Sequence, residues 1–326
     1  MAELDKLNNN TTHNKIPIIA VVGPTASGKT RLGVDLALKF NGEVVSADSM
    51  QLYQGMSIAT AKPTKDEMQG VPHHLIDFLP PEERYSVARY VADAATIITD
   101  IAVRGRLPIM VGGTGLYVDS LLNGVRFSEE PGNPELRAAL HAQAARLGNA
   151  AMHAMLAEVD PDYAAGLHPN NLGRVIRAIE VYRATGKTMS EQLKASRERP
   201  SNYAPILLGL GFSDRALLYE RIDRRVDAML EQGLLDEVRA FYRAHNPKTA
   251  AQAIGCKEFL GYLNGEKPLA QCIEDLKRET RRYAKRQLTW FGRNARITWL
   301  YHDAFDGYPA LLDRAVNVVS NGATRQ

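Results

Sequence analysis

Cysteine is nearly absent: Cys256 and Cys272 are the only two in 326 residues. That excludes a disulfide framework and a cysteine-rich metal cluster, and it fits a reducing compartment. No apolar run approaches the roughly 20 residues of a membrane-spanning helix, so no membrane partner is expected. Charge of one sign is not in surplus either. Forty Lys and Arg against 37 Asp and Glu leave a formal net charge of +3, so any basic surface has to be argued locally. Repeats and low-complexity tracts are lacking. Residues 1–15 are polar and have no apolar core, unlike a signal peptide; they read as a disordered leader, and a cytoplasmic location is expected. What is present is an ordinary globular composition, 45% hydrophobic and 24% charged, in a chain long enough for a main domain plus an insertion.

The chain is organised around Gly23, Pro24, Thr25, Ala26, Ser27, Gly28, Lys29 and Thr30. An apolar run at 16–22 reads as a buried strand before this stretch, and 32–40 reads as a helix after it. Strand, G-x-x-x-x-G-K-T and helix make a phosphate-binding P-loop. Its glycines let backbone N–H groups close on phosphate oxygens, and the helix N-terminus adds partial positive charge. Lys29 adds a full charge, and the Thr30 hydroxyl is the expected ligand of Mg²⁺. ATP is the default occupant of such a loop, but the motif specifies only a polyphosphate.

Residues 43–49 read as a second strand ending in a polar turn. This puts Asp48 at the C-terminal edge of a doubly wound sheet, where ligand crevices form. His73 and His74 lack a third ligand nearby, so a packing or hydrogen-bonding role is expected in place of metal. A helix is expected at 85–103 and a buried strand at 107–111. That strand runs into a second glycine-rich turn, Gly112-Gly113-Thr114-Gly115, before a helix at 116–122. From 133 to about 199 the pattern is helical and Ala-rich. Helices are expected to start at Asn133-Pro134, at Asp160-Pro161 and near Asn171, the last ending at Gly186. A strand at 205–210 returns to the sheet. Arg221, Arg224 and Arg225 follow on a helix, where some of them belong to the solvated face. In 273–296 eight basic residues oppose three acidic ones, with Tyr283, Trp290 and Phe291 interleaved. Arg278, Arg282, Lys285 and Thr289 share one side of a helix, a stripe suited equally to an RNA backbone or to solvent. Residues 297–300 close as a short strand. The fold class is therefore α/β, a P-loop kinase-like parallel sheet core over 16–126 and 200–326, with a helical insertion at 127–199.

Seven stretches in order, GPTASGKT, SADSMQLYQGM, TAKPT, VPHHLID, PIMVGGTGLYVDSLL, RVIRAIEVYRATGK and RRYAKRQLTWF, resemble the tRNA isopentenyltransferase (dimethylallyltransferase) family over about 16–300. The resemblance implies transfer of a dimethylallyl group from dimethylallyl diphosphate to N6 of the adenosine 3′ of the anticodon, in tRNAs reading codons that begin with U. It implies a diphosphate site formed by residues 23–30 and Arg215, and reaction-centre roles for Asp48 and Thr114. It implies that the insertion contacts tRNA and that the anticodon stem-loop is met by Asp48, Ser49, Met50, Gln51, Thr114, Arg137, Gly173, Arg174, Val175, Ile176 and Arg177. Further implied contacts are Gln252, Ala253, Ile254, Gly255, Cys256, Lys257, Lys285, Arg286, Gln287 and Trp290. Mg²⁺ is the implied cofactor, and a monomer is expected. Ala59 and Cys256 depart from the family pattern, which has Gly and an aromatic there. The Cys/His zinc finger of many eukaryotic members does not follow the core.

Three other readings compete on the residues alone. They are a small-molecule P-loop kinase, an adenylate isopentenyltransferase acting on free nucleotide, and a nucleic-acid-binding module with an inert P-loop. Consumption of ATP would mark the first, prenylation of AMP the second, and absence of turnover the third.

Overall fold

Strand β1, Ile16–Val22, sits at the centre of a six-stranded, fully parallel sheet and explains why its sequence is one apolar run. The other strands are β2 (Gly42–Ser46), β3 (His73–His74), β4 (Leu107–Gly112), β5 (Tyr203–Gly211) and β6 (Thr298–Tyr301), in the spatial order β3-β2-β4-β1-β5-β6. β1 pairs with β4 through Ile19 and Ile109, and with β5 through Ile19 and Ile206. A parallel sheet is covered on both faces, so both side-chain sets of a central strand are apolar. Ile18, Ala20 and Val22 enter one layer with the helices Val87–Val103, Gly115–Leu122 and Leu269–Phe291. Ile19 and Val21 enter the other with the helices Lys29–Phe40 and Gly307–Thr324. Truncating a fully buried member such as Ile98 to Ala would cost about 2–5 kcal/mol.

The computed structural model describes residues 15–125, 133–197 and 201–324. All of the expected leader except Lys15 lies outside them, as does 127–132 at the expected start of the insertion. The chain divides into two units. One comprises Met1–Leu122 with Asn202–Gln326, the other Asn123–Ser201, where the sequence places the insertion at 127–199. Among its described residues the second unit consists of helices joined by turns, with its own core of Leu140, Met152, Leu156, Val175 and Ile176. Its helices begin where local chemistry starts them. Asn133 accepts the Leu136 N–H and Pro134 takes the first helical position; Asp160 accepts the Tyr163 N–H. Leu172–Thr185 ends at Gly186, whose φ of 68° is the left-handed stop.

Three elements differ from the sequence reading. β2 stops at Ser46 rather than 49, because the Asp48 carboxylate accepts the Met50 and Gln51 N–H groups and folds a turn there. β3 is only two residues long, too short for any periodicity to announce it. The C-terminal helix Gly307–Thr324 was carried by no motif, yet Leu311, Ala315 and Val319 bury one stripe at fourth positions. No helix among the described residues is long and apolar enough to cross a membrane.

Candidate active site

The loop after β1 is shaped by contacts that only particular residues permit. Gly23 has φ of 141°, and a Cβ there would lie 2.2 Å from the Leu210 carbonyl oxygen of β5. Ala26 and Gly28 also take positive φ, 62° and 84°, which bends the backbone into a cradle. Lys29, in the first helical turn, donates from Nζ to the Pro24 carbonyl at 2.5 Å. Ala26, Gly28, Lys29 and Thr30 form one wall of a cleft of about 580 Å³, with Arg221, Arg224 and Arg225 opposite. Desolvation pushes the Lys29 ammonium down to about 7; Arg225 repels it in the same direction and Asp48 opposes. Burial also presses Arg225 downward, while Asp48 and Glu67 support its charge. Neither cation has an ion pair with another described residue. The cleft thus holds concentrated, poorly compensated positive charge, the electrostatic setting for a polyphosphate. Arg221 braces the loop by donating from Nε to the Ala26 carbonyl at 3.1 Å, whereas Arg224 pairs with Glu220.

A second cleft, of about 260 Å³, adjoins the first, and Ala61, Arg225 and Met229 line both. Thr25, Asp48, Ser49, Tyr283 and Arg286 supply polar groups to its wall, and Met50, Ile222, Val226 and Leu276 apolar ones. Asp48 Oδ1 accepts the Met50 N–H at 2.8 Å and the Gln51 N–H at 3.3 Å. The carboxylate is held by one oxygen, which leaves the other to accept a proton from a ligand. Thr114 accepts the Ser49 N–H at 3.0 Å. It fixes the Asp48 turn from behind and is not part of the cleft wall.

Several expected site residues are placed otherwise. Arg215 is exposed on the first turn of its helix, Arg215–Glu231, and lines neither cleft. The arginines of this helix that line the basic cleft are Arg221, Arg224 and Arg225, and i, i+4 spacing puts Arg225 on the same helix face as Arg221. That spacing was the signal in the sequence. Gly23, Pro24 and Ser27 are buried, so they build the loop and leave the wall to Thr25, Ala26 and 28–30. Gln51 spends its amide on the Thr60 and Ala61 carbonyls and lies outside the second cleft. Ala253 and Cys256 are buried, whereas Gln252, Ile254, Gly255 and Lys257 line that cleft. Cys256 donates to Met56 Sδ at 3.6 Å, and burial pushes its thiol up to about 12, so it is an inert packing residue. His73 and His74 bond the Val71 carbonyl and Glu43, in line with a hydrogen-bonding role.

The helix Leu269–Phe291 is less free than its charge suggests. Arg278, Arg281, Arg282 and Lys277 pair with Asp275, Asp223, Glu279 and Asp227. Lys285 and Arg286 are exposed and form no ion pair with a described residue; Arg286 lies 5.6 Å over the Tyr283 ring. Gln287 and Trp290, expected at an RNA surface, face inward. Gln287 is buried between the two glycine-rich turns. Trp290 donates from Nε1 to Asp119 at 2.7 Å and packs where a Cβ on Gly115 would be.

In the second unit, Arg137 and Arg177 both bond Glu180, which is 1% exposed. Burial alone would raise that carboxyl, but the two guanidinium groups outweigh it and hold it low. Val175 and Ile176 lie in the core of this unit and their side chains are unavailable to RNA, while Gly173, Arg174 and Arg177 are exposed.

No group of three or more His, Cys, Asp or Glu side chains able to hold a metal occurs among the described residues. In the basic cleft the Thr30, Ser57 and Thr64 hydroxyls and the single carboxylate of Glu67 are the candidate side-chain oxygen donors. So sparse a donor set fits Mg²⁺, which keeps several waters and takes further ligands from phosphates.

Comparison with known proteins narrows the chemistry. The family model described as IPP transferase matches residues 51–294, and that described as isopentenyl transferase matches 16–78. The chain is 50% identical over 299 residues to the tRNA dimethylallyltransferase of Caldanaerobacter subterraneus subsp. tengcongensis, covering 91% of this chain and 95% of that one. It is 49% identical over 292 residues to the Bacillus subtilis enzyme of the same name, covering 89% and 91%. Among solved structures, the full-length tRNA isopentenylpyrophosphate transferase of Bacillus halodurans superposes with a TM-score of 0.72 at 44% identity, covering 95% and 98%. A eukaryotic dimethylallyltransferase acting on tRNA superposes with a TM-score of 0.76 at 34% identity, covering 88% and 74%. Identity near one half across nine-tenths of the chain reaches far beyond a shared P-loop: this chain belongs to the IPP transferase family, that of the tRNA dimethylallyltransferases.

Proposed function

We propose that the protein transfers a dimethylallyl group from dimethylallyl diphosphate to N6 of the adenosine immediately 3′ of the anticodon, in tRNAs reading codons that begin with U, and releases diphosphate. The observation that carries this reading is the junction of the two clefts at Arg225, with Lys29 on one side and Asp48 on the other. A group held by the loop through its diphosphate would present its carbon toward a carboxylate that selects an N–H donor.

The exocyclic amine of adenine is a weak nucleophile because its lone pair is delocalised into the ring. Asp48 accepts one N6 proton as the nitrogen attacks C1 of the prenyl group. The C1–O bond breaks, and its electron pair leaves with the diphosphate. Lys29, Arg225 and the loop N–H groups stabilise that growing charge. Mg²⁺, when bound, would add Lewis-acid stabilisation of the phosphate oxygens, held by Thr30 with water and the phosphates themselves. Ile222, Val226, Met229 and Leu276 offer the prenyl carbons an apolar wall that keeps water from an electron-poor carbon. The adenosine must leave its stack to enter so recessed a site. Lys285 and Arg286, exposed and without an ion pair to a described residue, supply cations for the anticodon stem-loop. A tRNA substrate and two buried free thiols support a cytoplasmic location.

The test incubates the protein with dimethylallyl diphosphate, Mg²⁺ and bulk tRNA and identifies the modified nucleoside by mass. N6-dimethylallyladenosine from tRNA, with none from AMP, is the expected result. Prenylated AMP or consumption of ATP would overturn it.

A further inference from the structure

Gln287 is buried on a helix whose preceding residues, Lys285 and Arg286, are exposed. Its amide spans two turns that the sequence keeps 88 residues apart, as positions 25 and 113 show. Oε1 accepts the Thr25 N–H of the P-loop at 2.8 Å, and Nε2 donates to the Gly113 carbonyl at 3.0 Å. The amide orientation is dictated, since a backbone N–H can only donate and a carbonyl can only accept. A Cβ on Gly113 would lie 2.0 Å from Nε2, so the second turn is built around this side chain. Tyr283, one helical turn earlier, lies beside Thr114 and Gln287. Thr114 in turn holds the Ser49 N–H beside Asp48. The loop is therefore tied through the Gln287 amide to Gly113, whose chain neighbour Thr114 holds the turn carrying the carboxylate.

We propose that Gln287 is a positioning residue that sets the separation between the loop and the Asp48 turn, and so between leaving group and nucleophile. The inference rests on the transfer reaction proposed above. Transfer between two bound substrates depends steeply on this separation; a displacement of about 1 Å costs on the order of a hundredfold. Only a primary amide of this length serves both turns, because leucine serves neither and an ionised glutamate has no hydrogen to give Gly113.

The test compares wild type, Gln287→Leu and Gln287→Glu in single turnover at saturating dimethylallyl diphosphate and tRNA, with tRNA affinity and folded fraction measured alongside. Gln287→Leu is expected to slow the rate about 30- to 100-fold with tRNA affinity within about threefold. Gln287→Glu is expected to be slow at pH 8 and to recover relative to wild type toward pH 6, where a protonated carboxyl can again donate to Gly113. That pH signature reads the hydrogen bond even if the leucine variant fails to fold. Rates within threefold of wild type in the leucine variant, or a glutamate variant whose ratio to wild type is independent of pH, would overturn the inference. A wild type that modifies no tRNA would instead sink the function on which it rests.

Discussion

Two strand-to-helix turns, 22–30 after β1 and 112–115 after β4, share a local signature of glycines between a buried strand and a helix, and they serve opposite ends. In the first, glycine is needed because the chain leaves the sheet against the Leu210 carbonyl and then turns left-handed, which directs backbone toward a basic cleft. In the second, glycine is needed because other groups occupy the space a Cβ would take. Ala47 backbone crowds Gly112, Gln287 crowds Gly113 and Trp290 crowds Gly115. The first turn lines a basic cleft, and the second receives a helix. The lesson is that a glycine-rich turn marks close approach without saying what approaches.

The sharpest way to break this contrast is at the first turn. Lys29→Ala should lower transfer about a thousandfold, as loss of a main charge-stabilising group does, with tRNA affinity little changed. Single-turnover rates and filter binding check it, and a loss confined to tRNA binding would mean the loop is not the diphosphate cradle. Asp48→Asn, at the turn that the second one braces, should cost about 10²–10⁴-fold in rate while both substrates still bind. Near-normal turnover would remove Asp48 from proton transfer.

A pH effect follows from the same cleft. Lys29 in the protein titrates at about 7, well below its ordinary value, and binds phosphate only when charged. Below pH 7 it is already largely protonated and adds little further pH dependence to donor affinity. Above pH 7 the donor must bring a proton with it, so affinity falls about tenfold per pH unit. Calorimetry between pH 7 and 9 in buffers of different ionisation enthalpy should show that uptake, and its absence would place the charge elsewhere. At the second turn, Gly115→Ala would put a methyl group 2.3 Å from Trp290 Cδ1. Overpacking of this kind should cost about 1–3 kcal/mol by denaturant unfolding, with donor affinity unchanged. The smallest effect is expected at Arg215→Ala, which should leave transfer within about twofold because the side chain lines neither cleft; a large loss would return the phosphate role to it and take it from Arg225.

Much of the architecture is legible in the sequence alone. The strand at 16–22, the P-loop and the helix starts at Asn133 and Asp160 are local signals, written in consecutive residues. Asp48 was legible too, because a polar turn at a strand's C-terminal end has a fixed place in a doubly wound sheet. Arg225 was half legible: its i, i+4 relation to Arg221 was in the sequence, but nothing there said which face of that helix met the loop. Gln287 and Trp290 read as part of a basic, aromatic RNA-facing stripe, and both turned inward. Their neighbours' charges describe the helix surface, whereas their own partners lie more than 170 positions away.

The sequence by itself determined the polyphosphate loop, the alternation of strands and helices and the family, because each resides in short stretches whose meaning does not depend on what packs beside them. Only the tertiary structure decided which arginine faces Lys29, that Thr114 braces the Asp48 turn instead of lining its cleft, and that one glutamine amide joins the two glycine turns. Those outcomes depend on which atoms lie within hydrogen-bond reach once the sheet and its helices are assembled, and hydrogen bonds over about 3 Å are not encoded by spacing along the chain.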